Sequence, residues 1–552
     1  MRAAGTGAAA GALLAAGCSS GRGAGSQTGA QAGNSGTAGK KPKSGGVLTY
    51  AGGNAGSYDT RGPSFDPHQN FQFGVKGYTL FFERLLAYDL RSYKVGPELA
   101  QKWEQPNQTD YVFTLRPGVK WHNKPPANGR ALTADDVVYS LERARTNDPK
   151  FSSRSLLANV DKIEAPDAKT IRISTKGRNA STLAAFSVDN LSMLAKEVVD
   201  KFPKMDSADG AVGTGPFIVK SYELMVGAEY VRNPDYWKPG LPYLDGLRTK
   251  HFNDITGGWA AYLGGQVDAC LVPGTEVKSF ATQQGAGYSP DWYADDTVNF
   301  QYPNTKKKPF DDARVVRALK LLIDHDDFIK TWTEANYGKG GYGSIFPTAF
   351  ASWDLTPEEY KTHLEYKQPK DDAVKEALSL LGAAGFTKAN PMKFEIDTIT
   401  NPTTLAAAQL LQAQWKQLSQ GAVDPAIHQN DQATSTQRRD QRLFAYNQTG
   451  QSEGLFDPDI WLAAIYQTDG SQNYMGFSDP QLDAMIDKQR TLFDDTERRA
   501  LLKQIILYYI DHGPSTIGAN RYFLEAVKPR VQNHAPEYFI NGNQYQTVWL
   551  ES

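Results

Sequence analysis

The chain is poor in cysteine, with two among 552 residues, Cys18 and Cys270. Two cannot build a disulfide framework, and without a CxxC pair or a Cys/His cluster there is no metal-ligand spacing. Net charge is also scarce. Lys and Arg number 59 against 61 Asp and Glu, a formal balance of −2. No concentrated basic face points to nucleic acid. The two short basic runs, Lys40-Lys41-Pro42-Lys43 and Lys306-Lys307-Lys308, read as solvated surface in a linker and a loop. Beyond the N-terminal segment no stretch is long and apolar enough to span a bilayer. HExxH, Walker and dinucleotide motifs are missing, and there is no short-period repeat. No cofactor is implied.

What is present is length and an ordinary interior. At 552 residues with 40% hydrophobic and 22% charged residues, the chain suits a soluble globular protein of two or three lobes. Its N-terminus is compositionally distinct. Ala12-Leu13-Leu14-Ala15-Ala16-Gly17-Cys18 is a short apolar run closing on small residues, the layout of a secretory signal. With cysteine directly after the small residues it resembles a bacterial lipobox, in which Cys18 is lipidated, although Ala15 stands where Leu is usual. Arg2 followed by small residues suggests the second half of a twin-arginine signal whose arginine pair lies upstream. Residues 19–46 are dominated by Gly, Ser, Ala, Thr and Gln. Such a segment cannot bury enough apolar area to order itself and serves as a flexible tether.

The folded part begins near Gly46. Residues 47–51 read as a strand, and residues 80–88 carry an apolar stripe at helical spacing. Residues 111–115 alternate as a strand, turned by Pro117-Gly118. Residues 131–142 form a helix capped by Thr133, with Asp135 and Asp136 in its first turn. Residues 171–174 alternate again. Helices are expected over 313–323, 371–381, 405–418 and 496–510, the last with Arg498, Arg499 and Lys503 on its wet side. Strands and helices mix in no fixed order, so the class is α/β in several lobes.

Read in order, these blocks resemble the family of extracellular solute-binding proteins of ABC importers that includes the oligopeptide- and dipeptide-binding proteins. Gly45-Gly46-Val47-Leu48 is similar to the family's GGTL opening, and Phe65-Asp66-Pro67-His68 to its LDP turn. The stretch 111–143 is similar to its FxLRxGVKWHDGxPxTAxDVxYSxxR signature. Gly213-Thr214-Gly215-Pro216-Phe217 resembles GTGPY, and Asn233-Pro234-Asp235-Tyr236-Trp237 resembles NPDYW. Gly264-Gly265-Gln266-Val267-Asp268, Pro309-Phe310-Asp311-Asp312, Leu381-Gly382-Ala383-Ala384-Gly385-Phe386, Asp457-Pro458-Asp459 and Arg498-Arg499 continue the series. The resemblance covers essentially the whole mature chain. Each block also has a structural reading: Gly213 and Gly215 permit a tight turn, and Trp121 and Trp237 suit packing.

The resemblance implies a bilobal clam of the type II periplasmic-binding-protein kind with an extra subdomain. Its division here is a signal segment (1–18), a tether (19–46), first-lobe segments (47–88, 205–298 and 516–552), the subdomain (89–204) and the second lobe (299–515). Passages between lobes are expected near 250–253 or a little beyond, and near 517–523. Ligand binds in the cleft and holds the closed form, which docks on a membrane permease. A monomer is implied.

Candidate ligand-binding residues implied by the resemblance are Phe65, Phe300, Gln301, Asn304, Gln451, Ser452, Glu453, Gly454 and Asp457, with Arg439, Asn520 and Arg521. Relatives carry an Asp about three positions before the DP pair, where it meets a peptide α-ammonium. Here Gly454 stands at that position, beside Glu453. A buried ammonium needs an anionic partner. Either Glu453 substitutes, or the ligand lacks a free α-amine, as a blocked peptide, an oligosaccharide or another polar solute does. Arg439 is positioned to meet a carboxylate, or is a surface arginine in a polar run. A rival class is a secreted serine hydrolase, because Gly450-Gln451-Ser452-Glu453-Gly454 satisfies GxSxG. Pro458 interrupts the helix that such an elbow requires. A third class is a binding protein that serves a sensor instead of a permease.

Overall fold

The structure is a computed structural model. It describes residues 41–54, 65–69, 78–89, 94–148, 151–252, 254–284, 292–294, 297–343, 345–452, 457–517, 519–534 and 542–551. The expectations for Cys18, for the signal segment, for most of the tether, and for Glu453 and Gly454 lie outside the described residues.

Among those residues, two large sheets organise the molecule. The first has eight strands: Trp292–Ala294, Ala519–Val527, Ala269–Leu271, Val47–Asn54, Gly246–Phe252, Gly227–Arg232 and Phe217–Glu223 in spatial order, with Gly340–Tyr342 added on Ala519–Val527. Val47–Asn54 runs parallel to Gly246–Phe252 at its centre. The second has five strands in the order Ala426–Asn430, Glu395–Ile399, Tyr446–Ser452, Thr297–Pro303 and Thr516–Ile517. Its first three are mutually parallel. The chain passes from the first sheet to the second between Ala294 and Thr297, and returns between Ile517 and Ala519. The first passage is therefore well beyond 250–253. Strand Gly246–Phe252 is interior to the first sheet, and helix Ile255–Leu263 and strand Ala269–Leu271 still build on that sheet before the chain leaves it.

A four-stranded antiparallel sheet, Ala100–Glu104, Asp110–Leu115, Thr170–Thr175 and Val160–Asp167 in order, forms the subdomain with helix Ala134–Ala144. Strand Asp110–Leu115 alternates buried and half-buried positions, which is the period-2 signature of its sequence. Tyr111, Phe113, Ile171, Val137 and Trp121 share one core. Each such side chain taken from water contributes about 1.5–3 kcal/mol. Thr133 begins the helix as read: its N–H donates to Asp136 Oδ2 at 2.9 Å, closing the first turn.

Buried polar groups fasten the subdomain to the first lobe. Arg143 Nη2 lies 2.5 Å from Asp66 Oδ2. Arg84 Nε donates to Glu98 at 3.0 Å, and Arg84 also pairs with Asp189. His122 accepts from Gly213 N–H at 3.2 Å through Nδ1 and lies 3.1 Å from Gly215 O through Nε2. Burial holds this imidazole down at about 4, so it is neutral. The two glycines are required by close approach. A Cβ on Gly213 would fall 1.8 Å from Phe81 O, and one on Gly215 would fall 2.8 Å from Phe81 C.

Two expectations are corrected. Residues 80–88 are not one helix. A short helix, Tyr78–Phe81, gives way to strand Leu86–Asp89. The segment has no wet face: Leu80, Phe81, Phe82, Leu85 and Leu86 are fully buried, and Glu83 and Arg84 are buried too. A stripe at helical spacing is meaningless when every side of the segment is covered. Arg498 is not on the wet side of helix Asp495–His512 but is 5% exposed.

Candidate functional site

In both sheets the carboxyl ends of the parallel strands point toward the passages between them. Ser452, the last residue of Tyr446–Ser452, pairs with Thr297, where the second sheet begins. Strand Ala519–Val527 is antiparallel to Ala269–Leu271, so its start lies at the carboxyl end of Val47–Asn54. Open α/β sheets bind ligands at this end, and here two such ends face one hinge.

The sequence-derived candidates divide accordingly. Gln451 and Ser452 lie at the carboxyl end of the second sheet, paired with Val298 and Thr297; their side chains, like that of Phe300, lie outside the described residues. Gln301 is buried beside Gln448, whose Oε1 accepts from Thr398 at 2.9 Å. Asn520 and Arg521 stand just after the second passage, paired with Gly341 and Gly340. Arg521 Nη1 donates to Tyr337 Oη at 2.9 Å and its guanidinium lies 5.0 Å from that ring. Gln451, Ser452, Asn520 and Arg521 thus come to the same mouth.

Three candidates lie elsewhere. Phe65 is a core residue, edge-on to Phe81 at 5.9 Å and to Tyr222 at 5.4 Å. Asn304 sits at the opposite end of the second sheet, its Nδ2 donating to Arg442 O at 2.9 Å and its N–H to Ala445 O at 2.9 Å. Helix Gln432–Asp440 runs back toward that same end. It carries Arg439 over the Tyr474 ring at 4.6 Å and onto Asp440 at 2.9 Å. Asn304 thus holds a turn, and Arg439 is half-buried against a ring and its neighbouring carboxylate.

Asp457 also has other work. It caps Pro458–Trp461 by accepting from Asp459 N–H at 2.8 Å. Its two oxygens take Arg498 Nη2 at 2.6 Å and Nη1 at 2.9 Å. Ser181 of the subdomain donates to Oδ1 at 2.7 Å. Burial alone would push this carboxyl up, but the charge and hydrogen bonds of Arg498 hold it below the usual range. Its neighbour Asp459 goes the other way, raised by burial and by Asp457 in spite of Arg490. Beside this cluster a cavity of about 720 Å³ opens between the subdomain and the second lobe. Asn159, Asn179 and Ser181 line one wall, and Asp459, Gln467 and Arg490 the other.

Sequence reasoning missed Ser181, Arg490 and the inward role of Arg498. Only Arg498 carried a signal, as one half of an arginine pair at a helix start, and that signal resembled solvated charge. The hydrolase pattern is not supported by the backbone. Ser452 is the last residue of its strand and, among the described residues, the next helix is the four-residue Pro458–Trp461. Among the described residues no group of three or more His, Cys, Asp or Glu could hold a metal ion, and no helix is long and apolar enough to cross a membrane.

Comparison with known proteins gives the same architecture. The OppA of Haemophilus influenzae, solved in complex with RPPGFSPFR, superposes with a TM-score of 0.75 at 20% identity, covering 92% of this chain and 99% of that one. The DppA of Helicobacter pylori in complex with the peptide STSA superposes at 0.74 with 24% identity, covering 92% and 99%. By sequence, heme-binding protein A of Haemophilus influenzae is 27% identical over 482 residues, covering 83% of this chain and 85% of its own length. The dipeptide-binding protein of Escherichia coli is 25% identical over 506 residues, covering 85% and 89%. The family profile for bacterial extracellular solute-binding proteins, family 5 Middle, matches residues 94–473. With its two facing sheets, inserted subdomain and double passage, the chain belongs to the bacterial extracellular solute-binding proteins of family 5, the extracytoplasmic subunits that deliver solute to an ABC transporter permease.

Proposed function

We propose that this chain captures a peptide, or a polar solute of similar size, at the shared mouth of its two sheets. The observation that carries this reading is the placement of Gln451, Ser452, Asn520 and Arg521 at facing carboxyl ends on either side of the double passage. An extended peptide suits such a place, because strand edges there offer backbone groups to its backbone. Arg521 suits a ligand carboxylate. Residues 89–204 serve as the inserted subdomain and 299–515 as the second lobe. Lipidation of Cys18 and the following tether hold the protein near its permease.

A second reading is favoured by one residue. Gly454 stands where the resemblance implies an acid aimed at an α-ammonium, and one relative is named heme-binding protein A. On that reading the solute is an N-blocked peptide, an oligosaccharide or another non-peptide. A thermal-shift screen of the chain without residues 1–42 separates the two. Free-amine peptides that raise the melting temperature, with the effect lost in Glu453→Gln, support a peptide carrier with a relocated ammonium site. A shift with blocked peptides or sugars alone supports the second reading. Retention of a Cys18→Ser variant in the detergent phase on phase partition would count against the lipid anchor.

A further inference from the structure

The subdomain meets the second lobe through residues 178–181, and these contacts differ in kind from those that fasten it to the first lobe. The first-lobe contacts are buried ion pairs, Arg143 with Asp66 and Arg84 with Glu98, so the subdomain travels with that lobe. On the other side, Ser181 Oγ donates to Asp457 Oδ1 at 2.7 Å and accepts from Arg498 Nη2 at 3.1 Å. Ala180 N–H donates to Arg490 O at 2.9 Å. The Arg178 guanidinium lies 5.3 Å from the centre of the Phe493 ring. Ile460 of the second lobe packs against the subdomain core.

The charges in this contact are already balanced without the subdomain. Asp457 and Arg498 form a two-armed pair within the second lobe, and Arg490 Nε donates to both oxygens of Asp459. Withdrawal of Ser181 therefore leaves no orphan charge. It opens a complete ion pair to water, which a few hydrogen bonds can offset in either direction. A contact of this sort is reversible, whereas separating the subdomain from Asp66 and Arg84 of the first lobe would strand charges.

We propose that Ser181, with Ala180 and Arg178 beside it, is an interlobe latch that sets the fraction of closed protein, and thereby the apparent affinity for solute and its rate of release. The proposal rests on the solute-binding reading, in which apparent affinity scales with the closed fraction. Ser181 acts as a positioning residue. Its hydroxyl meets a buried charged pair, so its loss shifts the closed-to-open ratio about tenfold.

Amide hydrogen exchange of the full chain without solute tests this directly, through the Ala180 N–H that bridges to Arg490. Ser181→Ala speeds exchange at Ala180 about tenfold, Ser181→Thr restores the slow rate, and Phe493→Ala gives a smaller rise in the same direction. Amides of strand Asp110–Leu115 stay unchanged. Unchanged exchange at Ala180 in both Ser181→Ala and Phe493→Ala overturns the latch. So does Ser181→Thr exchanging as fast as Ser181→Ala, or a rise that spreads into Asp110–Leu115 and so reports local unfolding. With trialanine as probe, Ser181→Ala weakens binding by up to tenfold. Failure of the unaltered protein to bind trialanine would count against the peptide reading alone, because the exchange experiment contains no solute.

Discussion

At the scale of single residues, the energetics are concentrated in buried charges whose partners are complete. Arg498 and Asp457 are 5% and 6% exposed. Removing one member leaves the other buried and uncompensated, which costs about 3–5 kcal/mol, whereas removing both costs much less. Arg498→Met is therefore expected to lose about that much stability in urea titration, and Asp457→Asn/Arg498→Met distinctly less. Equal losses in the two variants would contradict the pairing. Glu83 is a carboxyl raised from 4.5 to about 7, by burial and by Glu98, against the pull of Lys238 and of hydrogen bonds from Trp237 and Thr214. A folded value above the unfolded one means that the protonated form favours folding. The contribution is whole below about pH 4.5 and is lost as pH rises through about 7, on the order of 3 kcal/mol in total. Stability measured from pH 4.5 to 7.5 should fall less steeply with rising pH in Glu83→Gln than in the unaltered chain.

At the scale of elements, the sequence was most legible where local chemistry is sufficient. The Thr133 start, the alternation over 110–115 and the Pro117-Gly118 turn all follow from groups within a few residues of one another. The helix expected from 405 begins earlier, at Pro402. Asn401 caps it, accepting from Thr403 N–H at 2.9 Å, and Asn-Pro is itself a start signal. The misread 80–88 segment failed for a reason outside itself, since its apolar side chains are shared between two separate cores. Glycine gives a clean contrast at this scale. Gly213→Ala drives a methyl into the Phe81 carbonyl, while a Cβ on Gly177 meets nothing within 4 Å. Gly213→Ala is expected to lower the melting temperature severely or prevent folding, and Gly177→Ala to stay within about 0.5 kcal/mol of the unaltered protein. Circular-dichroism melts of both variants check this.

At the scale of the whole molecule, two sheets joined by two passages make a hinge, and solute binding becomes a matter of linkage. A solute that binds only the native closed form stabilises it by about 2.7 kcal/mol at a hundredfold excess over its dissociation constant. The melting temperature should therefore keep climbing with the logarithm of concentration after the site is saturated. A plateau at saturation would mean that the solute also binds the unfolded chain. The candidate site was only partly legible. Gln451, Ser452, Asn520 and Arg521 come to one mouth because strand polarity carries them there. Asn304 and Arg439 do not join them, because Asn304 lies beyond the far end of its strand and Arg439 on a returning helix.

The sequence by itself determined the family, the α/β class and the turns, caps and strand alternation that short-range sterics and hydrogen bonding specify. Which charges are buried, and with what partner, was decided only by tertiary structure. Ser181, Asp457 and Arg498 are far apart in the chain and meet through the docking of two bodies. A charge run and a buried ion pair are spelled with the same residues. The difference between them is desolvation, which depends on everything packed around the group and on nothing in its own segment.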